Sequence, residues 1–249
     1  MIEIQNLYKS FNNKPVLCDL SLTIPDGETM VIVGESGCGK TVLLRLIIGL
    51  LKPDSGSILV EGVTVNRLHR SELFEIRKKF GMLFQSAALF DSMTVEQNIA
   101  LPLKEHTNCT DTEIRSRIKE KLDLVGLYGI EKKMPDELSG GMKKRVGLAR
   151  ALIMDPKYVL FDEPTTGLDP MMASSINDLI IATNRRLQVT SVVVTHDMRS
   201  AFTIGDRIAM IKQGQVILTD TKEQFQNSDH PLVRQFITGH IDKTQHESE

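Results

Sequence analysis

The residues best suited to chemistry are Gly34-Glu35-Ser36-Gly37-Cys38-Gly39-Lys40-Thr41. They satisfy G-x-x-x-x-G-K-[ST], in which glycines let successive backbone N–H groups converge on one anion. An apolar run, Met30 to Val33, precedes them, and another, Val42 to Ile48, follows. The expected unit is strand, glycine loop and helix, with the helix N-terminus adding partial positive charge at the same point. In that geometry Lys40 reaches the β- and γ-phosphates of a nucleotide, and Thr41 offers its hydroxyl to Mg²⁺. Cys38 reads as a small tolerated loop residue rather than a nucleophile. The cysteines Cys18, Cys38 and Cys109 have no metal-like spacing and read as free thiols.

Other polar groups close apolar runs. Asp162 and Glu163 follow Tyr158 to Phe161. A carboxylate at such a strand end can hold the Mg²⁺ that Thr41 touches. Glu163, one residue on, points differently and can polarise an attacking water. Gln85 ends the run from Phe80; it either reaches the metal or the water, or caps the strand. His196 follows Ser191 to Thr195 and becomes a γ-phosphate contact if it shares an edge with Lys40. Ser139-Gly140-Gly141 opens a helix and forms a second anion-binding N-terminus. It need not meet the nucleotide held by Lys40 of the same chain. Asp169 before Pro170 reads as N-cap and first helical residue. Tyr8 and Phe11 could each stack on an adenine or pack the sheet.

These groups need elements to position them. Ile2 and Ile4, then Leu20, Leu22 and Ile24, alternate with polar residues and predict strands. Asn12-Asn13 and Pro25-Asp26-Gly27 predict turns. Ile58, Val60, Val63 and Val65 continue the β texture, and Glu72 to Lys79 predicts a polar helix. Residues 86–154 read as mainly helical: Ile114, Ile118 and Leu122 recur at four-residue spacing, with Glu113–Arg117 as a supporting pair. A second helix there buries Val146, Leu148, Ala149 and Leu152. Strands then alternate with helices, a hairpin turns at Gln213-Gly214, and Pro231 starts a last helix. The polar stretch Thr244 to Glu249 is expected to be disordered.

The pattern predicts an α/β fold, with a mostly parallel sheet core, an antiparallel β subdomain and a helical insertion. In such sheets ligands sit beyond the C-terminal strand ends, where the glycine loop, Gln85, Asp162 and His196 all fall. The expected organisation is a single domain over 1–249. Residues 1–85 and 155–225 form the core with its β subdomain, 86–154 the helical part, and 226–249 a C-terminal helix and polar tail.

Composition narrows the function classes. Charged residues make up 25% of the 249, apolar residues 41%, and the net charge is −2, which is ordinary for a water-soluble chain and unlike a nucleic-acid binder. The apolar run around 42–51 is broken by Arg45 and too short to span a bilayer. The N-terminus lacks the features of a signal peptide. A cytoplasmic protein is expected, held at any membrane by partner subunits.

Taken together, the chain resembles ATP-binding-cassette (ABC) ATPases along its whole length. The motifs run in that family's order: Walker A (Gly34–Thr41), Q-loop (Gln85), signature (Leu138–Met142), Walker B (Tyr158–Glu163), D-loop (Gly167-Leu168-Asp169) and switch histidine (His196). The family's A-loop aromatic falls near Phe11. The resemblance implies a P-loop NTPase cassette using ATP and Mg²⁺ as a head-to-tail dimer. Ser139, Gly140 and Gly141 of one copy would face the nucleotide held by Gly34–Val42 of the other. Glu163 would be the general base and His196 the γ-phosphate contact. The block around Gln85 would pass motion to integral-membrane permease subunits. Val42 departs from the family by replacing a hydroxyl residue, removing one α-phosphate contact. Met142 replaces the usual glutamine.

Within the family, Met82 to Val95, Leu101 to Thr107, the signature ending in Met142, and Val233-Arg234-Gln235-Phe236 are similar to the ATPases of MCE-type (Mla-like) phospholipid transport systems. That likeness implies a peripheral subunit on the cytoplasmic face of the inner membrane. Its partners would be a permease dimer, an MCE-domain substrate-binding protein and, in some systems, a small regulatory subunit, with no nucleic acid. Rival readings are a solute importer, a lipoprotein releaser or a division-associated cassette. A soluble cassette acting on DNA or ribosomes is the distant alternative: the gap between loop and signature is too short for a long coiled coil, and there is one cassette.

Overall fold

The computed structural model describes residues 1–239; the tail expected from Thr244 onward lies outside them. The chain opens with β1 (Ile2–Phe11), turns at Asn12-Asn13 and returns as β2 (Lys14–Ile24). Then come β3 (Thr29–Val33) and α1 (Lys40–Ile47), followed by β4 (Ser55–Val60), β5 (Val63–Thr64), α2 (Arg70–Lys78) and β6 (Phe80–Leu83). Three helices follow: α3 (Val95–His106), α4 (Asp111–Leu124) and α5 (Gly140–Leu152). The chain re-enters the sheet as β7 (Tyr158–Asp162), then runs through α6 (Pro170–Leu187), β8 (Thr190–Thr195) and α7 (Met198–Ile204). The hairpin β9 (Arg207–Lys212) and β10 (Gln215–Thr221) precedes α8 (Lys222–Gln226) and α9 (Pro231–Thr238).

Two sheets form. One has strand order β2-β1-β4-β5 and is antiparallel throughout. The other has order β10-β9-β3-β8-β7-β6, parallel except for the edge strand β10. The parallel strands are apolar on both faces because both faces are covered. Along β3, Val31 and Val33 join a core shared with α3 to α7, while Met30 and Ile32 join a core shared with α1 and the antiparallel sheet. β7 divides the same way, Val159 and Phe161 against Tyr158 and Leu160. The period-two pleat thus makes one strand serve two cores.

Local chemistry overrides the sequence expectation in two places. Val65 begins a 3₁₀ turn, Val65–Arg67, instead of extending a strand. The Asn66 side chain takes over the pairing there: Ile58 N donates to its Oδ1 at 3.0 Å, and its Nδ2 donates to Gly56 O at 3.2 Å. The expected Glu113–Arg117 pair also does not form. Thr110 donates from its N–H and Oγ1 to Glu113 Oε2, at 2.7 and 2.9 Å, in a capping box, while Arg117 reaches Asp155 at 3.5 Å. A carboxylate at a helix N-terminus gains more from orphan donors than from an exposed ion pair. The short helix α8 had no counterpart in the sequence reading.

A charged cluster ties the two sheets together at the end opposite the glycine loop. Lys157 donates to Glu61 in the β4–β5 turn at 2.6 Å and to Asp26 in the β2–β3 turn at 3.0 Å. Lys79 also pairs with Glu61, and the N-terminal ammonium with Asp26. Hydrogen bonds from Lys157 and then Lys79 hold the Glu61 carboxyl down to about 2. Partial burial pushes Asp26 up, but the N-terminal ammonium and Lys157 outweigh it and leave that carboxyl at about 2. Both folded values lie below the unfolded ones. The stability they add is therefore present above the ordinary carboxylate range and disappears as pH falls toward 2. Glu61→Gln is expected to lower Tm at pH 7, with the deficit closing as the pH approaches 2; thermal melts followed by circular dichroism check this.

Candidate active site

The glycine loop leaves the C-terminal end of β3 and closes on α1. Gly39 is the residue before α1, at φ 105°, and a Cβ there would stand 2.6 Å from Leu17 Cδ2. Lys40 is only 6% exposed. Its ammonium donates to Gly34 O at 2.7 Å and Glu35 O at 3.0 Å, inside the loop it belongs to. Burial pushes the Cys38 thiol up, which keeps it protonated and fits the reading that it is no nucleophile.

Two strands away, β7 delivers the carboxylates. Thr41 Oγ1 donates to Asp162 Oδ1 at 2.8 Å. Burial pushes the Asp162 carboxyl up, and the Thr41 hydrogen bond opposes this. Two oxygen donors from facing elements suit Mg²⁺, which prefers one or two protein oxygens and fills its remaining positions with phosphate and water. At Glu163 the chain turns sharply, with φ 47°, and its N–H donates to Val194 O at 2.9 Å. This turn sends the carboxylate back over the loop. Glu163 Oε1 lies 3.7 Å from Lys40 Nζ, and Oε2 accepts from Thr166 Oγ1 at 3.0 Å and lies 2.9 Å from His196 Nδ1.

These groups border one cavity of about 500 Å³, lined by Val16, Ser36, Gly37, Gly39, Lys40, Thr41, Val42, Gln85, Glu163, Thr166 and His196. The structure therefore gathers Lys40, Thr41, Gln85, Glu163 and His196 around a single space, with Asp162 behind Thr41. Thr166 and Val16 were missed by sequence reasoning. A hydroxyl three residues after the acid pair was the available signal for Thr166; Val16 carried none.

Other expected site residues lie elsewhere in this chain. Ser139 caps α5, its Oγ accepting from Met142 N at 3.3 Å. Ser139 and Gly141 line a separate cavity of about 320 Å³ with Arg145 and Met172, and Gly140 occupies the first turn beside them. Asp169 caps α6, its Oδ1 accepting from Met171 N and Met172 N at 3.0 Å each. Glu35 lines a separate groove with Leu232 and Phe236 of α9. Phe11, at the end of β1, is 41% exposed, with the Lys9 ammonium 5.2 Å from its ring centroid. Val16, rather than Phe11, provides the apolar wall of the phosphate-side cavity.

A glycine loop running from a central parallel strand into a helix N-terminus, with a strand-end carboxylate bonded to its threonine, defines a P-loop nucleotide-binding protein. The sequence profile of the ABC transporter family matches residues 17–166. The chain belongs to that family. It is 46% identical over 238 residues to the "probable ribonucleotide transport ATP-binding protein mkl" of Mycobacterium tuberculosis, covering 96% of this chain and 66% of that protein. It is 43% identical over 242 residues to the "intermembrane phospholipid transport system ATP-binding protein MlaF" of Haemophilus influenzae, covering 97% and 92%. Among solved structures, a dimeric ATP-binding cassette in a post-hydrolysis state bound to ADP and Pi superposes with a TM-score of 0.82 at 33% identity, covering 89% and 99%. Among the described residues, no helix is long and apolar enough to cross a membrane.

Gly39→Ala is expected to destabilise the fold by about 1–3 kcal/mol, because alanine is strained at positive φ and meets Leu17. Urea unfolding measures this. Nucleotide titration should show weakened ATP binding in the same variant.

Proposed function

We propose that this chain is the ATP-hydrolysing subunit of an ABC transporter that moves phospholipid between membranes with an MCE-type permease complex, bound peripherally at the cytoplasmic face of the inner membrane. One observation carries the hydrolytic part: the Glu163 carboxylate, held by Thr166 and His196, stands over the phosphate loop 3.7 Å from Lys40. The cargo rests on the 43% identity, nearly full-length, to a protein named for intermembrane phospholipid transport.

In this reading the backbone N–H groups of Gly37 to Thr41 and the Lys40 ammonium bind the β- and γ-phosphates of ATP. Thr41 and Asp162, with Gln85 nearby, would hold Mg²⁺, which neutralises charge on the phosphate oxygens when bound. Glu163 accepts a proton from the attacking water. The water oxygen bonds to the γ-phosphorus, the bond to the β–γ bridging oxygen breaks, and ADP and phosphate leave. His196 contacts the γ-phosphate and shares a hydrogen bond with Glu163, so substrate and base are aligned together. Phe11 would border the adenine side, with Val16 walling the phosphate side and Val42 offering no hydroxyl to the α-phosphate.

Ser139, Gly140, Gly141 and Asp169 lie away from Lys40 in this chain, so they would serve the nucleotide of a second copy arranged head to tail. The ADP- and Pi-bound cassette relative was solved as a dimer, which supports this arrangement. The name of the mycobacterial relative favours a second cargo reading, ribonucleotide.

Glu163→Gln is expected to retain ATP binding while kcat falls about 10²–10⁴-fold, the usual worth of a general base. Lys40→Ala should lose ATP binding itself. Steady-state phosphate release and equilibrium nucleotide binding separate the two, and parental turnover by Glu163→Gln would refute the assignment. Mass spectrometry of material co-purified with the intact transporter tests the cargo. Phospholipid is expected, while enrichment of a nucleotide cargo or a sugar-binding protein would sink the lipid reading.

A further inference from the structure

The helix α5 presents Lys144, Gly147 and Arg150 at three-residue spacing, so they share one face. That face lies on the loop following β6. Gly147 permits the approach: a Cβ there would stand 2.9 Å from Leu83 Cδ1 and 3.1 Å from Ala87 Cβ. On either side of this contact the two cations grip loop carbonyls. Arg150 donates to Ala87 O and Ala88 O at 2.7 Å each. Those alanines have φ of 62° and 47°, a conformation that costs energy without glycine. Lys144 Nζ donates to Gln85 O and also, at 3.3 Å, to Glu163 O.

Lys144 is 5% exposed, and both hydrogen-bond partners of its ammonium are backbone carbonyls. A buried ammonium is costly unless its surroundings compensate. Here burial outweighs the opposing charges of Asp162 and Glu163 and holds the Lys144 ammonium below the usual lysine range, even though both carbonyls accept from it. A neutral side chain would avoid that cost, so the charge calls for a reason. The strained peptide it touches supplies one. Glu163 holds φ 47° because its N–H is tied to Val194 O and its carbonyl to Lys144.

We propose that Lys144 is a positioning residue for hydrolysis: by joining the carbonyl of Glu163 to that of Gln85, its ammonium keeps the base aimed over the phosphate loop only while the loop after β6 lies on α5. This rests on the reading of Glu163 as general base. The signature helix, the Gln85 loop and the base then move as one body. A partner that pulls on the loop changes the aim of Glu163 without touching the nucleotide.

The test compares ATP hydrolysis by the full parental chain with Lys144→Met and Lys144→Arg, alone and combined with Glu163→Gln. Lys144→Met is expected to lower kcat about 10- to 100-fold, the scale of a misplaced catalytic group, with KM for ATP unchanged. Lys144→Arg, which can still donate to both carbonyls, should recover most of the rate. In the Glu163→Gln background, read by single-turnover hydrolysis, Lys144→Met should cause no further loss, because it acts through the group already removed. Parental kcat in Lys144→Met, a raised KM with intact kcat, no recovery in Lys144→Arg, or an equal loss in the Glu163→Gln background would each overturn the proposal. If Lys144→Met shows no cooperative melt, Lys144→Gln carries the same comparison, and failure of both to fold assigns Lys144 a purely structural role and overturns it too. Absence of hydrolysis by the parental chain would instead overturn the ATPase reading, and this proposal with it.

Discussion

A lysine ammonium at 6% exposure needs partners where it stands, and much of this structure is arranged around that need at Lys40. Two partners are carbonyls of its own loop, Gly34 O and Glu35 O, so the loop must curl around its own side chain. The third is the Glu163 carboxylate, which immediately follows a strand two positions away in the sheet. A loop that satisfies a buried cation with weak, exchangeable partners is prepared for a polyphosphate, which offers the same cation stronger ones.

The sheet makes that meeting possible. In a parallel sheet every strand delivers its C-terminal end to the same edge, so β3, β8 and β7 place the glycine loop, His196 and Asp162-Glu163 together. The two cores on either face hold that edge in register, with alternate residues of each strand anchored in opposite directions. At the far end, the cluster of Glu61, Asp26 and Lys157 keeps the antiparallel sheet attached to the strands that carry the site. The antiparallel sheet in turn supplies Val16 to the cavity wall.

The helical block contributes differently. Its signature residues line their own cavity, away from Lys40, which suits a surface completed by a second copy. Its link to Glu163 within the same chain runs through backbone carbonyls, from Lys144 to Gln85 and Glu163. Side-chain contacts specify chemistry, whereas grips on carbonyls specify where the chain lies. That difference lets one helix present Ser139 and Gly141 to their own cavity at its first turn and hold the Glu163 peptide at its second.

Much of this was legible in order. The pattern from Gly34 to Thr41, the apolar runs ending in Gln85, Asp162 and His196, and Ser139-Gly140-Gly141 depend on local backbone geometry and side-chain type, which sequence records directly. The parallel core followed from strand–helix alternation. Competition between partners was not recorded. Glu113 chose the cap offered by Thr110 three residues back over Arg117, a competition between two local partners, whereas Asn66 replaced a strand backbone with its side chain because the folded chain brings Ile58 and Gly56 within its reach. The Lys144 bridge was invisible for the same reason. Its partners are carbonyls, which every residue has, and only tertiary packing decides which of them a buried ammonium finds. Sequence by itself determined which groups could bind and hydrolyse a nucleotide; the tertiary structure alone decided that Glu163 turns at φ 47° to face Lys40, since that direction depends on bonds to β8 and α5.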